Sequence, residues 1–234
     1  MPDKRKRLTR KEYHLDAITL AKRLLGRRLV RLLNGERLAG IIVETEAYVG
    51  TCDEASHAFG GHRSKRNDSM YQEGGHAYVY FTYGMHEMFN VVCGRVDEPV
   101  AVLIRALQPT EGVEMMHRLR SAKPRKTPLR ERDLCSGPGK LCQALAINRG
   151  LDKADLVKDR RIWIEEGYGP SAEKEIAVSS RIGVEKCGEW GKMPLRFLKK
   201  GNPHVSVSPR PWKDIPPDFA EIVCKGSKNP SVSR

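Results

Sequence analysis

RRLVRLLNGERLAGIIVETEAYVG, residues 27–50, is the stretch that decides the fold. Both of its halves are rich in branched apolar residues, which favour β-strands. Between them stands Asn34-Gly35, a pair preferred in two-residue hairpin turns because both residues adopt positive φ easily. We therefore predict a hairpin whose arms cover residues 27–33 and 38–50.

Further strand patterns follow one another along the chain without regular crossover helices. HAYVYFTYG (76–84), MHEMFNVVCG (85–94) and EPVAVLIRAL (98–107) predict three successive strands, with a turn near residues 94–97. RIWIEE (161–166), PLRFLKK (194–200) and HVSVS (204–208) predict three more. Strands that follow strands indicate an α+β fold with a mostly antiparallel sheet.

Three segments have the spacing of helices. Leu15, Ile18, Ala21, Leu24 and Leu25 recur at helical intervals before Gly26, which favours a helix end. TEGVEMMHRLRS (110–121) predicts a second helix, with Thr110 as its N-cap and Glu111 in its first turn. GPGKLCQALAI (137–147) predicts a third helix. The polar residues 50–75 predict a long loop, and loops of that length are uncommon in compact domains unless they have a function.

The 234 residues suit a single domain. We expect a mobile basic arm over 1–14, the folded domain over 15–208 and a Pro-rich tail over 209–234. No stretch approaches the roughly 20 apolar residues of a membrane span. The basic N-terminus is not followed by the apolar run of a secretory signal, so we expect a cytoplasmic protein, nucleoid-associated or nuclear according to its host.

The formal net charge of +13 favours a polyanionic partner such as nucleic acid or an anionic membrane surface. A soluble basic protein without such a partner stays an alternative on charge alone. The basic residues are clustered, however, at 4–11, 63–66 and 118–132, and clustering favours nucleic acid.

The six cysteines form no C-x-x-C pair, and the seven histidines form no H-E-x-x-H motif. A secreted disulfide scaffold would be shorter and richer in cysteine. Neither the cysteines nor the histidines have a common zinc-ligand spacing. We therefore expect reduced thiols, no metal and no cofactor.

Two acids and a phenol share one face of the second hairpin arm. On a strand, Glu44, Glu46 and Tyr48 point one way, whereas Thr45 and Ala47 point the other way. Buried acids are costly unless they are paired. The strand alone leaves two interpretations equally open, a catalytic acid or the solvated face of an edge strand.

Aromatic and basic residues farther along the chain are further candidates for functional roles. Tyr78 and Tyr80 share a strand face that would suit stacking on a nucleobase. Tyr83 stands at the strand end, where a turn could wedge between base steps. Half-buried packing is the alternative for these tyrosines. Arg105 ends an apolar strand and needs an anion, which could be a phosphate, a structural partner or Glu46, whose charge it would stabilise. Gly137-Pro138-Gly139-Lys140 resembles an anion-binding turn but lacks the spacing of a nucleotide-binding P-loop.

Several long motifs, in order, resemble those of the alkyladenine (3-methyladenine) DNA glycosylase family. The similarity runs from about Leu15 to Val207. It is carried by VETEAYVG (43–50), DEASH (53–57), RN (66–67), YVYFTYGMH (78–86), FN (89–90), LIRALQP (103–109), DLCSGPGKLCQALAI (133–147) and GEWGKMPLRF (188–197). The resemblance implies a curved sheet with surrounding helices and a protruding hairpin.

The resemblance also implies roles for individual residues. Glu46 would activate the attacking water, with Arg105 and the carbonyl of Ile182 positioning that water. The residues that would surround the flipped base are Tyr48, Ala55, His57, Tyr80 and Asn90. Those that would fill the gap left in the duplex are Tyr83 and Met85. Those that would contact the DNA backbone are Arg63, Ser64, Arg66 and Lys140. His62 departs from the family, since some members carry a phosphate-contacting arginine there, and so does the turn after Cys93.

The resemblance implies an enzyme that flips damaged purines out of duplex DNA and hydrolyses their N-glycosidic bonds, and we expect it to be a monomer that needs no metal. A non-catalytic DNA-binding protein with the same wedge and basic loops is the main alternative. A zinc deaminase lacks its H-x-E and P-C-x-x-C motifs here. A two-metal nuclease would need clustered carboxylates.

Overall fold

The predicted hairpin is present and lies at the centre of the sheet. β1 spans Arg28–Leu33 and β2 spans Glu36–Tyr48, and the turn between them places Asn34 at φ 51° and Gly35 at φ 84°. This computed structural model describes residues 6–82, 84–121, 127–167, 172–209 and 213–214. Within those ranges nine strands form one sheet, and every registered strand pair is antiparallel.

The 13 residues of β2 are long enough to pair with three strands. β5 (Val100–Glu111) runs along one edge of β2, from Ala39 to Tyr48. On the other edge β1 pairs with residues 36–41, and β8 (Arg196–Lys199) pairs with residues 44–46. The segment that carries the two acids is therefore flanked by strands on both sides, which excludes the edge-strand interpretation.

The remaining strands extend the sheet from both sides of β2. They are β3 (Ala77–Thr82), β4 (His86–Cys93), β6 (Ile162–Glu165), β7 (Ile176–Ser179) and β9 (Lys213–Asp214). The order is β3-β4-β5-β2-β8-β7-β9, and β1 joins β6 to the first half of β2. This arrangement confirms the predicted α+β fold and its antiparallel sheet.

Short helices cover the sheet. They are α1 (Arg10–Tyr13), α2 (Ala17–Leu24), α3 (Val113–Arg120), α4 (Pro138–Ala144) and α5 (Gly188–Lys192). α2 buries Leu20 and Leu24 in the main core, and Ala21 accepts a 3.0 Å hydrogen bond from the Thr45 hydroxyl. Thr45 therefore faces the helical side of the sheet, so the acids on either side of it face the opposite way.

The start that we predicted for the second helix is wrong. Thr110 and Glu111 belong to the end of β5, and α3 begins at Val113 after Gly112. The Glu111 carboxylate is held in the sheet by ion pairs with Arg28 and Arg37. Gly112 makes the turn at φ 69°, where a Cβ would lie 2.8 Å from a backbone oxygen.

The strand predicted over residues 204–208 is also wrong. That segment forms no strand, because Ser206 uses its amide and hydroxyl to bind the Glu44 carboxylate instead of a neighbouring strand. Conversely, the sequence patterns missed β7 and α5, both of which are short.

We expected a mobile arm over residues 1–14, but residues 8–13 pack against the rest of the domain. Leu8 and Tyr13 are buried in the core. Arg10 donates to the Gly74 carbonyl at 2.5 Å and pairs with Asp155 at 2.6 Å. Of the predicted tail, only residues 209 and 213–214 lie within the described part of the chain.

Five of the six cysteines lie in the described residues, and all five are free thiols; Cys224 lies outside. Burial raises the pKa of the Cys135 thiol to about 12, so this thiol is inert at neutral pH. In the ranges the structure describes, no helix has the length and apolar character needed to span a membrane.

Candidate active site

The candidate site is built on the second half of β2, where Glu44 and Glu46 are both fully buried. Across from them the pairing of β5 skips one residue, since Glu44 faces Ala106 and Thr45 faces Ile104. The skipped residue is Arg105, so a β-bulge re-aims this side chain from the regular ladder. Its guanidinium lies between the two acids, with Nε 3.0 Å from Glu44 and Nη1 3.1 Å from Glu46.

Glu46 is held by two hydrogen bonds and one ion pair. Its Oε1 accepts a 2.8 Å hydrogen bond from the backbone amide of Ile182 and pairs with the Arg105 guanidinium. Its Oε2 accepts a 3.1 Å hydrogen bond from the Tyr48 hydroxyl. The resemblance implies a water contact for the Ile182 carbonyl, whereas the contact seen here is between the Ile182 amide and Glu46. This arrangement fixes the carboxylate in orientation.

Glu44 also binds Arg105. Its carboxylate also accepts from Arg196 Nη1 at 2.9 Å, from the Ser206 amide at 2.6 Å and from the Ser206 hydroxyl at 2.7 Å. Two acids and two arginines, Arg105 and Arg196, therefore alternate in one buried network. Buried charges are tolerated when they are paired and hydrogen-bonded in this way.

The electrostatics of the network keep its donors protonated. Burial alone would lower the pKa of Arg105, but the charges of Glu46 and Glu44 outweigh it and raise that pKa above its ordinary value. Burial, together with the charge of Glu46, raises the pKa of Tyr48 well above the ordinary range. Tyr48 is therefore a neutral phenol that donates its proton towards Glu46.

A cavity of about 460 Å³ opens beside this network. Its size falls in the range of small-molecule pockets, roughly 300–1,000 Å³. The described residues that line it include three of the network, Tyr48, Arg105 and Ile182. They also include the remaining residues predicted to surround a base: Ala55, His57, Tyr80 and Asn90. The structure thus gathers the predicted base-binding residues, Arg105 and Ile182 around one cavity, and Glu46 lies buried in contact with its wall.

His57 is oriented by aromatic neighbours. Its Nδ1 lies 2.8 Å from the Tyr78 hydroxyl, and its ring meets that of Tyr80 edge-on with centroids 4.6 Å apart. Loss of hydration, with smaller contributions from the charges of Arg66 and His62, lowers the pKa of His57 below its ordinary value. The imidazole is therefore neutral at pH 7 and has one donor and one acceptor nitrogen.

Asn90 is fixed in place at the cavity wall. The residue is buried, and its side-chain nitrogen donates a 3.1 Å hydrogen bond to the Tyr78 carbonyl. Because this bond crosses the β3–β4 ladder, the amide cannot swing away without breaking it. A ligand in the cavity therefore meets a rigid polar wall at this position.

The β3–β4 hairpin presents apolar side chains at its tip. Met85 is 68% exposed and Phe81 is 46% exposed, so two large apolar side chains of this hairpin face solvent. Gly84 makes the turn at φ 67°. Tyr83, the predicted gap-filling residue, lies outside the described residues.

The residues predicted to contact the DNA backbone lie at the surface and have local partners. Arg63 pairs with Asp68 and Asp97, each at 2.8 Å. Arg66 donates to the Phe81 carbonyl at 3.2 Å and so braces the hairpin. The two others are similarly engaged: Ser64 binds the Asn67 side chain, and Lys140 donates to Ser136 at 3.4 Å.

Sequence reasoning missed the ion pair of Arg181 with Asp53. Both side chains are fully buried, with Nη1 and Oδ2 2.6 Å apart. Arg181 stands directly before Ile182, and Asp53 opens the DEASH motif, but no spacing in the sequence joins two positions 128 residues apart. Among the described residues, no group of three His, Cys, Asp or Glu side chains is placed to hold a metal ion.

Comparison with known proteins gives a consistent result. Residues 11–203 match the family model of methylpurine-DNA glycosylase. The chain is 46% identical over 198 residues to DNA-3-methyladenine glycosylase from Homo sapiens, covering 83% of this chain and 66% of that protein. It is 47% identical over 199 residues to the putative 3-methyladenine DNA glycosylase from Carboxydothermus hydrogenoformans, covering 85% of this chain and 98% of that protein.

The mouse DNA-3-methyladenine glycosylase is 46% identical over 199 residues, covering 83% of this chain and 59% of that protein. The chain thus spans slightly less than two thirds of the length of the mammalian relatives that it matches. It matches nearly the whole length of the bacterial relative.

Proposed function

Because this chain belongs to the methylpurine-DNA glycosylase family, we propose that it is a DNA glycosylase of base-excision repair. It flips a damaged purine out of duplex DNA into the cavity beside Glu46. It then hydrolyses the N-glycosidic bond and leaves an abasic site. The observation that carries this proposal is the buried Glu46 carboxylate, which is held by hydrogen bonds from Tyr48 and Ile182 and by an ion pair with Arg105, all residues of the cavity wall.

The position of Glu46 suits a base that activates one water molecule. Glu46 itself is fully buried, whereas Tyr48, Arg105 and Ile182 all line the cavity. In this proposal the water enters from the cavity and binds Glu46 beside the Tyr48 hydroxyl on Oε2. A water held there would be oriented by the guanidinium of Arg105 and by the backbone at Ile182.

A positioned carboxylate base supplies about 10²–10⁴-fold in rate, since water is a weak nucleophile at neutral pH. As the base departs, the sugar develops oxocarbenium character, and the negative charge of Glu46 stabilises it, as carboxylates do in glycoside hydrolysis. The water oxygen bonds to C1′ of the sugar, its proton goes to Glu46, and the bonding electrons of the glycosidic bond leave with the purine. A cationic alkylpurine becomes neutral in this step and leaves readily, whereas a neutral base such as hypoxanthine must take up a proton as it departs.

The aromatic walls suit a base that has left the helical stack. Flipping a nucleotide costs a few kcal/mol, and less when the pair is already damaged. Stacking on aromatic side chains contributes about 1–3 kcal/mol per base, so Tyr48, Tyr80 and His57 can offset the cost. The exposed Met85 at the hairpin tip would enter the space that the nucleotide vacates.

We infer that the substrates are alkylated and deaminated purines of the 3-methyladenine, 7-methylguanine, hypoxanthine and ethenoadenine class. Asn90 would reject normal guanine, because its amide is held rigidly by Tyr78 where the 2-amino group would lie. The neutral His57 would offer one hydrogen bond at the purine edge. Among the described residues that line the cavity none is a lysine, so we propose hydrolysis without Schiff-base chemistry and without strand cleavage.

Base release tests this function directly. A duplex containing one hypoxanthine is incubated with excess protein, and free hypoxanthine and strand breaks are measured separately. We expect released hypoxanthine and a strand that breaks only after alkaline treatment. A protein that bound the duplex tightly but released no base would instead be a non-catalytic damage-binding protein.

A further inference from the structure

The mechanism proposed above uses neither Arg181 nor Asp53, although both are fully buried beside the cavity. The two side chains meet in a fork, with Nη1 2.6 Å from Oδ2 and Nη2 2.8 Å from Oδ1. Such two-point pairing fixes orientation as well as distance. A fully buried charge pair without a mechanistic role calls for an explanation, since removing two charges from water is costly.

The pair joins several segments of the cavity wall. Arg181 also donates to the carbonyls of Ala47 at 3.0 Å and Trp190 at 3.1 Å. Asp53 also accepts from the amides of Val49 at 3.2 Å and Ala55 at 3.0 Å. The end of β2, the loop after it and α5 are therefore tied to one ion pair.

Two of the proposed functional groups are in direct reach of Arg181. Its guanidinium carbon lies 4.7 Å from the centroid of the Tyr48 ring, a cation–π distance. The next residue along the chain is Ile182, whose amide donates to Glu46 at 2.8 Å. A shift of Arg181 would therefore move the base-stacking ring and the backbone at the water site together.

We propose that Arg181 and Asp53 form a positioning pair that sets Tyr48 and Ile182 relative to Glu46. This role rests on the proposed glycosylase function. The pair touches neither base nor water, and it acts through the two groups that do. Lysine cannot replace Arg181 in this role, because an ammonium group is a point charge without the planar fork.

The decisive variant is therefore Arg181→Lys, which keeps the charge but not the fork. The probe is a duplex containing ethenoadenine, whose fluorescence reports unstacking, and single-turnover release of the base is measured on the same samples. A misplacement of about 1 Å can cost on the order of 100-fold in rate. We expect both the flipped fraction and the release rate to fall, the latter by about 10- to 100-fold.

Two further variants separate positioning from stability. Arg28→Met breaks another buried ion pair, with Glu111 and Glu165, neither of which lines the cavity. It controls for lost stability. The double variant Arg181→Met/Asp53→Asn removes both charges and so leaves no unpaired buried ion, which protects folding if the single variant unfolds.

The outcomes are distinct. Slow release by Arg181→Lys and by the double variant, with wild-type release by Arg28→Met at a temperature where all are folded, supports the positioning role. Release by the Arg181 variants at the rate of Arg28→Met overturns it while leaving the glycosylase function intact. Absence of release by the wild type contradicts the glycosylase function itself, and the positioning role with it.

Discussion

Replacing Glu44 by alanine tests whether the buried charge network holds the site together. The substitution removes the common partner of Arg105, Arg196 and Ser206. Arg105 keeps Glu46. Among the described residues, the partners left to Arg196 are neutral, namely the Ser179 hydroxyl and the carbonyls of residues 180 and 207. The net effect is a buried guanidinium without a countercharge.

The magnitude follows from burial. Arg196 is 4% exposed and Glu44 is fully buried, so water can solvate neither efficiently. Breaking a buried pair by removing one partner costs about 3–5 kcal/mol. Since a domain's free energy of unfolding is about 5–15 kcal/mol, this is a large fraction of the total. At about 2–4 °C per kcal/mol for a chain of this size, Tm should fall by roughly 6–20 °C.

Urea unfolding monitored by circular dichroism measures the free energy of unfolding, and a thermal scan measures Tm. Glu44→Gln retains the volume of the side chain but not its charge, and we expect it to show most of the loss. Glu189→Ala is the matched control, because that carboxylate is 75% exposed and should unfold at the wild-type midpoint. A loss below about 1 kcal/mol in Glu44→Ala would refute the reasoning, since it would mean that the network adds little stability.

Three further predictions concern selectivity, the hairpin and pH. Asn90→Ser should raise the excision of normal guanine by about tenfold or more, because the rigid wall at that position is removed; an unchanged guanine rate counts against this role. Met85→Ala should weaken binding to lesion duplex, measured by fluorescence anisotropy, with an unchanged single-turnover rate at saturating protein; a slower chemical step would contradict a wedge role. Loss of hydration lowers the pKa of buried His204, so below about pH 6.5 the unfolded chain binds more protons than the folded protein and the free energy of unfolding falls. Urea titrations at several pH values should show a shallower fall in His204→Asn than in the wild type. An identical fall would contradict this prediction.

Local patterns predicted most of the sheet because its strands are rich in branched and aromatic residues. The Asn34-Gly35 turn and the long strand β2 were correctly predicted for this reason. The start of α3 was not, because Glu111 is held in β5 by Arg28 and Arg37 from other parts of the chain. A capping pattern is a local preference, and tertiary ion pairs override it.

The same limit explains what was missed at the candidate site. Period-two alternation placed Glu44, Glu46 and Tyr48 on one face, but their burial depends on the strands that flank β2 on both sides. The contacts of Arg105 with both acids depend on a one-residue bulge in β5, and no residue type in the sequence predicts this bulge. The roles of individual residues came from the family resemblance, and they stay predictions.

Neither the local sequence patterns nor the family resemblance predicted the Arg181–Asp53 pair. Its members are 128 positions apart, and each is unremarkable in its own segment. The predicted backbone contacts are a related case, since Arg63 is already paired with Asp68 and Asp97 at the surface. DNA would have to compete with these carboxylates, and only the folded arrangement reveals that competition.

Single-turnover release of hypoxanthine by the wild type and by Glu46→Gln is the most direct test of the central claim. The substitution keeps the shape of the side chain but removes the base that would accept a proton from water. With both proteins saturating the duplex, we predict that Glu46→Gln binds normally and releases the base about 10²–10⁴-fold more slowly. Release at the wild-type rate would contradict the assignment of Glu46 as the catalytic base.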